Sequence, residues 1–306
     1  MHPNYFLKSK RSSVSKELAK FKHTLQNFEA WRPKEDVDFI LLCGANREHN
    51  IPSSRRQSLL EFATKHLPNS RFFLAELIFE TFLKEGHKGN ILDIESDLSQ
   101  FADHIIIVLE SESAFCELGA FANSSKLRNK IIVINDTRHK NTGSFINQGP
   151  VKAIEEISGH KNLLYYKMEE DGRYIGDGIG DIYSDLYELL KKEPKPKRNR
   201  VREFNPNKFF SKDSLRFIHD LVYLSGPLYF SELHEILIIL FEKCTKRNLQ
   251  KHIALLCAIC EIERSDKGLY KSSQKSPYFE YDHFDINSMI ASFKNMHYRY
   301  DNSRLS

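Results

Sequence analysis

Short apolar runs, each stopping at a glycine or a polar group, recur through the first two thirds of this chain. They constrain its fold more than any other feature. Val37–Cys43 (VDFILLC) stops at Gly44-Ala45-Asn46, Ile105–Leu109 (IIIVL) at Glu110, and Lys130–Ile134 (KIIVI) at Asn135-Asp136. Arg71–Ala75, ending at Glu76, and Asn162–Lys167 (NLLYYK) read as two further strands. Helical patterns lie between them: from a cap at Ser53/Ser54 to Leu67, over Ile91–Ala102 with Leu92, Leu98 and Phe101 on one face, over 115–126 and over 179–192. Strands that are apolar on both faces must be covered on both, and strands alternating with helices pair in parallel. The expectation for 35–190 is therefore an α/β domain, a doubly wound (Rossmann-like) parallel sheet of about five strands. Such sheets bind ligands in a crevice outside the carboxyl ends of the strands.

The flanking segments differ in character. Residues 1–34 hold an amphipathic helix over 13–31, with Val14, Leu18, Phe21, Leu25 and Phe28 at helical spacing. That face either packs within the protein or docks onto a partner. Residues 191–204 (KKEPKPKRNRVREF) form a basic linker in which Pro194 and Pro196 block helix continuation. It is either a solvated tether or a phosphate contact through Lys197, Arg198 and Arg200. Residues 205–306 read as helix 214–223, helix 232–243 capped by Ser231, helix 246–258 capped by Thr245, then a hairpin turning at Asp266-Lys267-Gly268. Three helices closed by a hairpin form a small winged-helix pattern. Its third helix opens with Lys246, Arg247, Asn248, Gln250 and Lys251, and its wing carries Lys267 and Lys271. Such modules bind nucleic acid or protein. Charge favours the former: residues 191–306 hold 21 Lys+Arg against 14 Asp+Glu, whereas 1–190 hold 24 against 27.

The N-terminus has no apolar signal core, and Leu233–Phe241 is far short of the ~20 residues that a membrane span needs. The five cysteines are an odd count among apolar neighbours. They read as reduced, buried thiols of a cytoplasmic protein without a membrane anchor. Cys257-Ala258-Ile259-Cys260 lacks the second pair that a zinc site needs and reads as core, and the histidines have no metal-ligand spacing. No Walker A or GxGxxG pattern occurs, and Gly172, Gly176, Gly178 and Gly180 are spaced as a flexible turn. Neither metal nor cofactor is expected.

The candidate site lies in Ile105–Gly119 (IIIVLESESAFCELG). Glu117 falls in the first turn of the expected helix 115–126, where the macrodipole and open N–H groups favour an anion. A carboxylate there either compensates the dipole or attacks the anomeric carbon of a nucleoside or nucleotide, as in glycosidase chemistry. Gly119 leaves room for close approach. Gly44, Ala45, Asn46 and Ser113 would shape a phosphate–ribose pocket. Glu76, Glu110 and Asp136 end strands on the same edge, as polar contacts to the substrate or as loop and cap residues.

Strand 37–43 with its GAN, strand 105–109 and ESESAFCELGAFA together resemble nucleoside 2-deoxyribosyltransferase-like domains, in which the Glu of a Glu-x-Gly motif is the nucleophile. Glu117-Leu118-Gly119 matches that motif, while the family's Asp-x-Gly-Thr lead-in is replaced by Glu110-Ser111-Glu112-Ser113. IESDLSQFADHIIIVLESESAFCELGAFA, followed by the basic linker and the winged-helix pattern, resembles retron effectors, toxic components of anti-phage systems. That resemblance implies an N-glycosidase with Glu117 as nucleophile and NAD+ or a related nucleotide as substrate. It also implies a retron reverse transcriptase and a small RNA–DNA hybrid as restraining partners, in a homo-oligomer or higher assembly. Two other readings fit the same residues: a DNA-binding regulator that senses a nucleotide without turnover, and deoxyribosyl transfer or hydrolysis on deoxynucleotides.

Overall fold

The computed structural model describes residues 4–9, 11–26, 31–34, 37–48, 50–84, 98–99, 101–169, 177–191 and 212–304. In chain order the strands are β1 (Trp31–Pro33), β2 (Asp38–Cys43), β3 (Asn46–Glu48), β4 (Ile51–Pro52), β5 (Ser70–Phe73), β6 (His104–Val108), β7 (Ile131–Asp136), β8 (Leu163–Tyr166), β9 (Leu228–Tyr229), β10 (Ile262–Arg264), β11 (Leu269–Ser272) and β12 (Phe279–Tyr281). The chain divides into two compact units, one from Val37–Glu80 with Lys88–Pro194, the other from Met1–Asp36, Thr81–His87 and Lys195–Ser306.

The first unit is an α/β fold around a five-stranded sheet of order β5-β2-β6-β7-β8, every pairing parallel. From Phe39 to Cys43, from Ile105 to Val108 and throughout β7 every residue is buried, as a sheet covered on both faces requires. Successive side chains alternate between the faces. Ile40, Leu42, Ile106, Val108, Ile132 and Ile134 share one core with Leu59 and Ala63 of the helix Ser54–His66 and with Leu186 and Leu190 of the helix Tyr183–Leu190. The helix Glu112–Ala122 buries Ala114, Leu118, Phe121 and Ala122, a stripe at the spacing of one helix face, and packs beside β6.

The first strand in sequence (β2) thus has the second (β5) on one side and the third (β6) on the other. The direction in which successive strands are added to the sheet reverses there, making a topological switch point. The crevice outside the carboxyl ends of β2 and β6 is where such a sheet binds ligands.

Several boundaries differ from expectation. The helix expected over 115–126 begins at Glu112, because Ser111, extended at φ −151°, caps it by accepting from the Ala114 N–H at 3.3 Å. The strand expected to reach Ala75 stops at Phe73, so Glu76 stands in the first turn of the helix Ala75–Lys84. A 3-10 turn over Ile179–Ile182 precedes the helix Tyr183–Leu190. Most of the expected helix Ile91–Ala102, together with Gly172 and Gly176, lies outside the described residues.

In the second unit the helices Lys212–Ser225, Phe230–Phe241 and Lys246–Ala258 precede the hairpin β10–β11. β9 adds to that hairpin as a third antiparallel strand, order β10-β11-β9. Ser231 does not cap the second helix. The cap position is Tyr229, whose N–H donates to Glu232 Oε2 at 2.9 Å. Thr245 occupies the cap position of the third helix without a side-chain hydrogen bond to it. β12 pairs antiparallel with β1, and the chain closes with the helix Ile286–Tyr300.

The expected helix over 13–31 runs only from Ser13 to Gln26, and Trp31 stands in β1. Its apolar face packs within this unit: fully buried Phe21 has ring centroids 6.1 Å from Phe217, 5.1 Å from Tyr281 and 4.7 Å from Phe284. Asp220 ties the unit together by accepting from the Tyr278 and Phe279 N–H groups at 2.6 and 3.0 Å and from the Tyr281 hydroxyl at 2.9 Å. The cysteines are not uniformly buried as expected. Cys43 is buried, Cys244 and Cys257 are half-buried, and Cys116 and Cys260 are exposed, Cys260 because the third helix ends at Ala258. No described helix is long and apolar enough to cross a membrane.

Candidate functional site

At the switch point a hydrogen-bonded frame fixes the turn that leaves β2. Glu110 Oε1 accepts from the Ala45 N–H at 3.0 Å and from the Ser53 hydroxyl at 2.6 Å, and Oε2 accepts from Arg55 Nη1 at 3.1 Å. Its side chain has no exposed surface. A Cβ on Gly44 would lie 2.8 Å from Arg56 Cδ and 2.9 Å from Glu110 Oε1, so glycine is what lets the frame close. Arg56 donates from Nη1 to Ala45 O (3.2 Å), Asn46 Oδ1 (2.8 Å) and Glu76 Oε1 (2.7 Å), and from Nη2 to Leu42 O (3.0 Å).

Arg55 extends the frame. It donates from Nε to Asp177 Oδ2 at 2.8 Å and from Nη2 to the Glu169 carbonyl at 2.6 Å. Tyr166 donates its hydroxyl to Asp177 Oδ1 at 3.1 Å. Burial alone would lower the Arg55 pKa, but Asp177 and Glu110 outweigh it and hold the guanidinium charged. Burial, reinforced by Asp177, pushes the Tyr166 pKa up and keeps its hydroxyl a donor.

Arg55, Arg56, Asp177 and Tyr166 escape a reading of the sequence, although one signal was present. Two arginines in the first turn of a helix oppose the macrodipole. Such residues need carboxylates close by, and here they have three. Glu110, expected as a substrate contact or a loop or cap residue, bonds protein donors with both oxygens. Glu76 is held by Arg56, and Asn46 gives its side-chain oxygen to the same guanidinium. Asp136 ends β7 buried, accepting from the Arg138 N–H and Nε at 2.8 Å each. Burial would raise its pKa, but Arg138 outweighs that and lowers it.

After Glu110 the chain enters the helix Glu112–Ala122, which packs beside β6. Because it starts at Glu112, Glu117 is its sixth residue and sits in the second turn. The macrodipole, which decays within the first turn, supports its charge less than expected, and Glu112 takes the first-turn place. Glu117 borders the buried stripe, one turn from Ala114 and Phe121. It is half-buried, with Oε2 out of contact with solvent. Ser113 lies one turn before it on the same face, exposed, its hydroxyl 3.0 Å from that of Ser111. A Cβ on Gly119 would meet nothing within 4 Å, so the space beside this helix is open there. Gly44, Ala45 and Glu110 thus meet in one frame, Asn46 and Glu76 join it through Arg56, and Ser113 and Glu117 lie on the helix that follows Glu110.

In the second unit Lys246, Arg247, Lys267 and Lys271 are exposed, and Asn248 and Lys251 are half-buried. Leu249 and every residue from His252 to Leu256 are buried, so the third helix offers solvent little beyond its first turn and a half. Lys197, Arg198 and Arg200 lie outside the described residues.

Known proteins match this chain over most of its length. A protein of the Escherichia coli retron Ec73, provisionally named a ribosyltransferase/DNA-binding protein, is 44% identical over 299 residues, covering 94% of this chain and 93% of that protein. Its counterpart from Escherichia coli retron Ec86, provisionally named in the same way, is 30% identical over 202 residues, covering 64% and 63%. The profile described as STM3845 retron effector protein matches residues 52–264, from the Ser53 cap at the crevice through β10. The chain belongs to that family of retron effectors.

Proposed function

We propose that this effector is an N-glycosidase of the deoxyribosyltransferase-like class, cleaving the N-glycosidic bond of NAD+ or a related nucleotide with Glu117 as nucleophile. The observation that carries the reading is the half-buried Glu117 carboxylate on the helix that follows Glu110, the residue whose hydrogen bonds fix the Gly44–Ala45 turn at the switch point. In this reading the turn and the Ser113 hydroxyl take the ribose and phosphate. Glu117 attacks C1′, the bond from C1′ to the base nitrogen breaks, and water then cleaves the glycosyl ester to restore the carboxylate.

The state of the neighbouring carboxylates favours NAD+ within this class. Glu110, Asp136 and Glu76 are each engaged with an arginine of the protein, which leaves them poorly placed to serve a departing base. Nicotinamide leaves a pyridinium ribosyl bond already neutral and needs no proton. The names of the two Escherichia coli relatives support glycosyl transfer chemistry as the broader class.

The second unit, in the same proposal, is a winged-helix module that meets nucleic acid through Lys246, Arg247, Asn248, Lys251, Lys267 and Lys271. The retron reverse transcriptase and its RNA–DNA hybrid restrain the effector, within a homo-oligomer or higher assembly. The test is base release from NAD+ and from a panel of deoxynucleotides by the full chain, alone and together with its retron partners. Nicotinamide release that falls more than about a thousandfold in Glu117→Ala is expected. Full activity in Glu117→Ala overturns the mechanism, and tight binding without any released base points to a sensor.

A further inference from the structure

The hairpin β10–β11 and the helix Ile286–Tyr300 border a cleft of about 630 Å³. Its lining carries the cations Arg264, Lys267, Lys271 and Lys294 beside two carboxylates, Glu263 and Asp266. Arg304 also lines it but is committed to Glu232 and Asp301, at 2.8 and 3.0 Å. Arg264 lies over the Tyr270 ring, 5.8 Å from its centroid, and Lys267 Nζ donates to the Ser303 carbonyl at 3.4 Å, linking the hairpin turn to the end of the chain. Among the described residues neither Lys271 nor Lys294 is in an ion pair. One turn beyond Lys294, on the same helix face, Tyr298 is 66% exposed.

Cations lining a cleft with an exposed aromatic beside them match the way single strands are held, phosphates on basic side chains and bases stacked on rings. The volume is that of a small-ligand pocket, about 300–1,000 Å³, which admits a nucleotide or two and not a duplex. The third helix, by contrast, is buried over much of its length and presents its charge on one turn. We propose that this cleft takes a single-stranded nucleic-acid segment, a chain end or an unpaired stretch. Lys267, Lys271 and Lys294 hold its phosphates and Tyr298 stacks a base. The inference rests on the nucleic-acid reading of this unit and assigns the contact to the wing and the C-terminal helix.

The experiment is fluorescence anisotropy on the full chain with a labelled oligothymidine of about 12 nucleotides, within the site sizes of single-strand binders, and with a blunt duplex of equal length. The expected result is preference for the single strand. The K271E/K294E double variant should bind it at least tenfold more weakly, with a salt slope shallower by about 1.4 if two phosphate contacts are lost. Tyr298→Ala should weaken binding about tenfold, while Tyr298→Phe keeps the ring and most of the affinity. Both lysines and the tyrosine are surface residues, so thermal melts of the variants should match the parent. Wild-type affinity in K271E/K294E, or preference for the duplex, overturns the inference. If binding is instead lost only in K246E/R247E, nucleic-acid contact survives on the third helix and the cleft assignment fails. If the parent chain binds neither probe, the nucleic-acid reading fails with it.

Discussion

Both carboxylate oxygens of Glu110 bond to groups inside the protein, so replacing this residue is first a stability experiment. In Glu110→Ala the Ala45 N–H and one Arg55 N–H lose their acceptor in a site without solvent, and Arg55 keeps only Asp177 as a charge partner. Breaking a buried pair from one side costs about 3–5 kcal/mol. Urea unfolding should show a loss of that size, with Glu110→Gln intermediate because an amide oxygen still accepts from Ala45 or Ser53. A loss under about 1 kcal/mol would mean that the frame does not depend on this carboxylate. The residue also marks a limit of sequence reading. Its place at a strand end was readable, but its role was not, because Ala45, Ser53 and Arg55 lie 55 to 65 positions away. Glu117 differs, since its helix and its motif are contiguous and only the helix start, Glu112 rather than residue 115, departs from expectation.

At the level of elements, the N-terminal helix carries a similar lesson. The spacing of Val14, Leu18, Phe21 and Leu25 announces an apolar stripe but says nothing of what covers it. The cover is the rest of the second unit, from helices that lie about 200 residues later, Lys212–Ser225 and Phe230–Phe241, and about 270 residues later, Ile286–Tyr300. Phe21→Ala should therefore destabilise that unit by about 3–5 kcal/mol, the usual cost of deleting a buried ring. Denaturation followed by fluorescence of Trp31, the single tryptophan and a member of the same unit, measures this directly. An unchanged midpoint would show that the helix is dispensable to the unit. The closing elements β12 and Ile286–Tyr300 were not read from the sequence, because a three-residue strand has too few positions to show a period and its partner β1 precedes it by about 250 residues.

For the whole molecule, strand membership of the central sheet was plain from five apolar runs, but strand order was not. Each run is apolar on both faces, so nothing in it distinguishes an inner neighbour from an outer one. The order β5-β2-β6-β7-β8 is what moves the crevice to Gly44 and Glu110. The two units also carry different titrating groups, and acid should separate them. His252 is fully buried, and its pKa is pushed down to about 4 by that burial, with Lys251 adding to the effect and the Asn248 carbonyl opposing it. His297, in the same unit, is also lowered, by burial first. An unfolded histidine takes its proton near pH 6.5, before the folded one does. The unfolded state therefore binds more protons between pH 6.5 and 4, and stability falls as pH falls through that window. For His252 alone the loss is about 2 kcal/mol by pH 5. Asp136, in the first unit, has a lowered pKa, so its contribution is present above the ordinary carboxylate value of 3.8 and is lost only below it. The Trp31 transition should thus drop to lower temperature between pH 7 and pH 5, while the part of the far-UV dichroism melt that comes from the parallel-sheet unit holds its midpoint. His252→Leu should flatten the Trp31 pH dependence over the same window. If both signals shift together and the slope survives that substitution, the acid sensitivity does not originate in the buried imidazole.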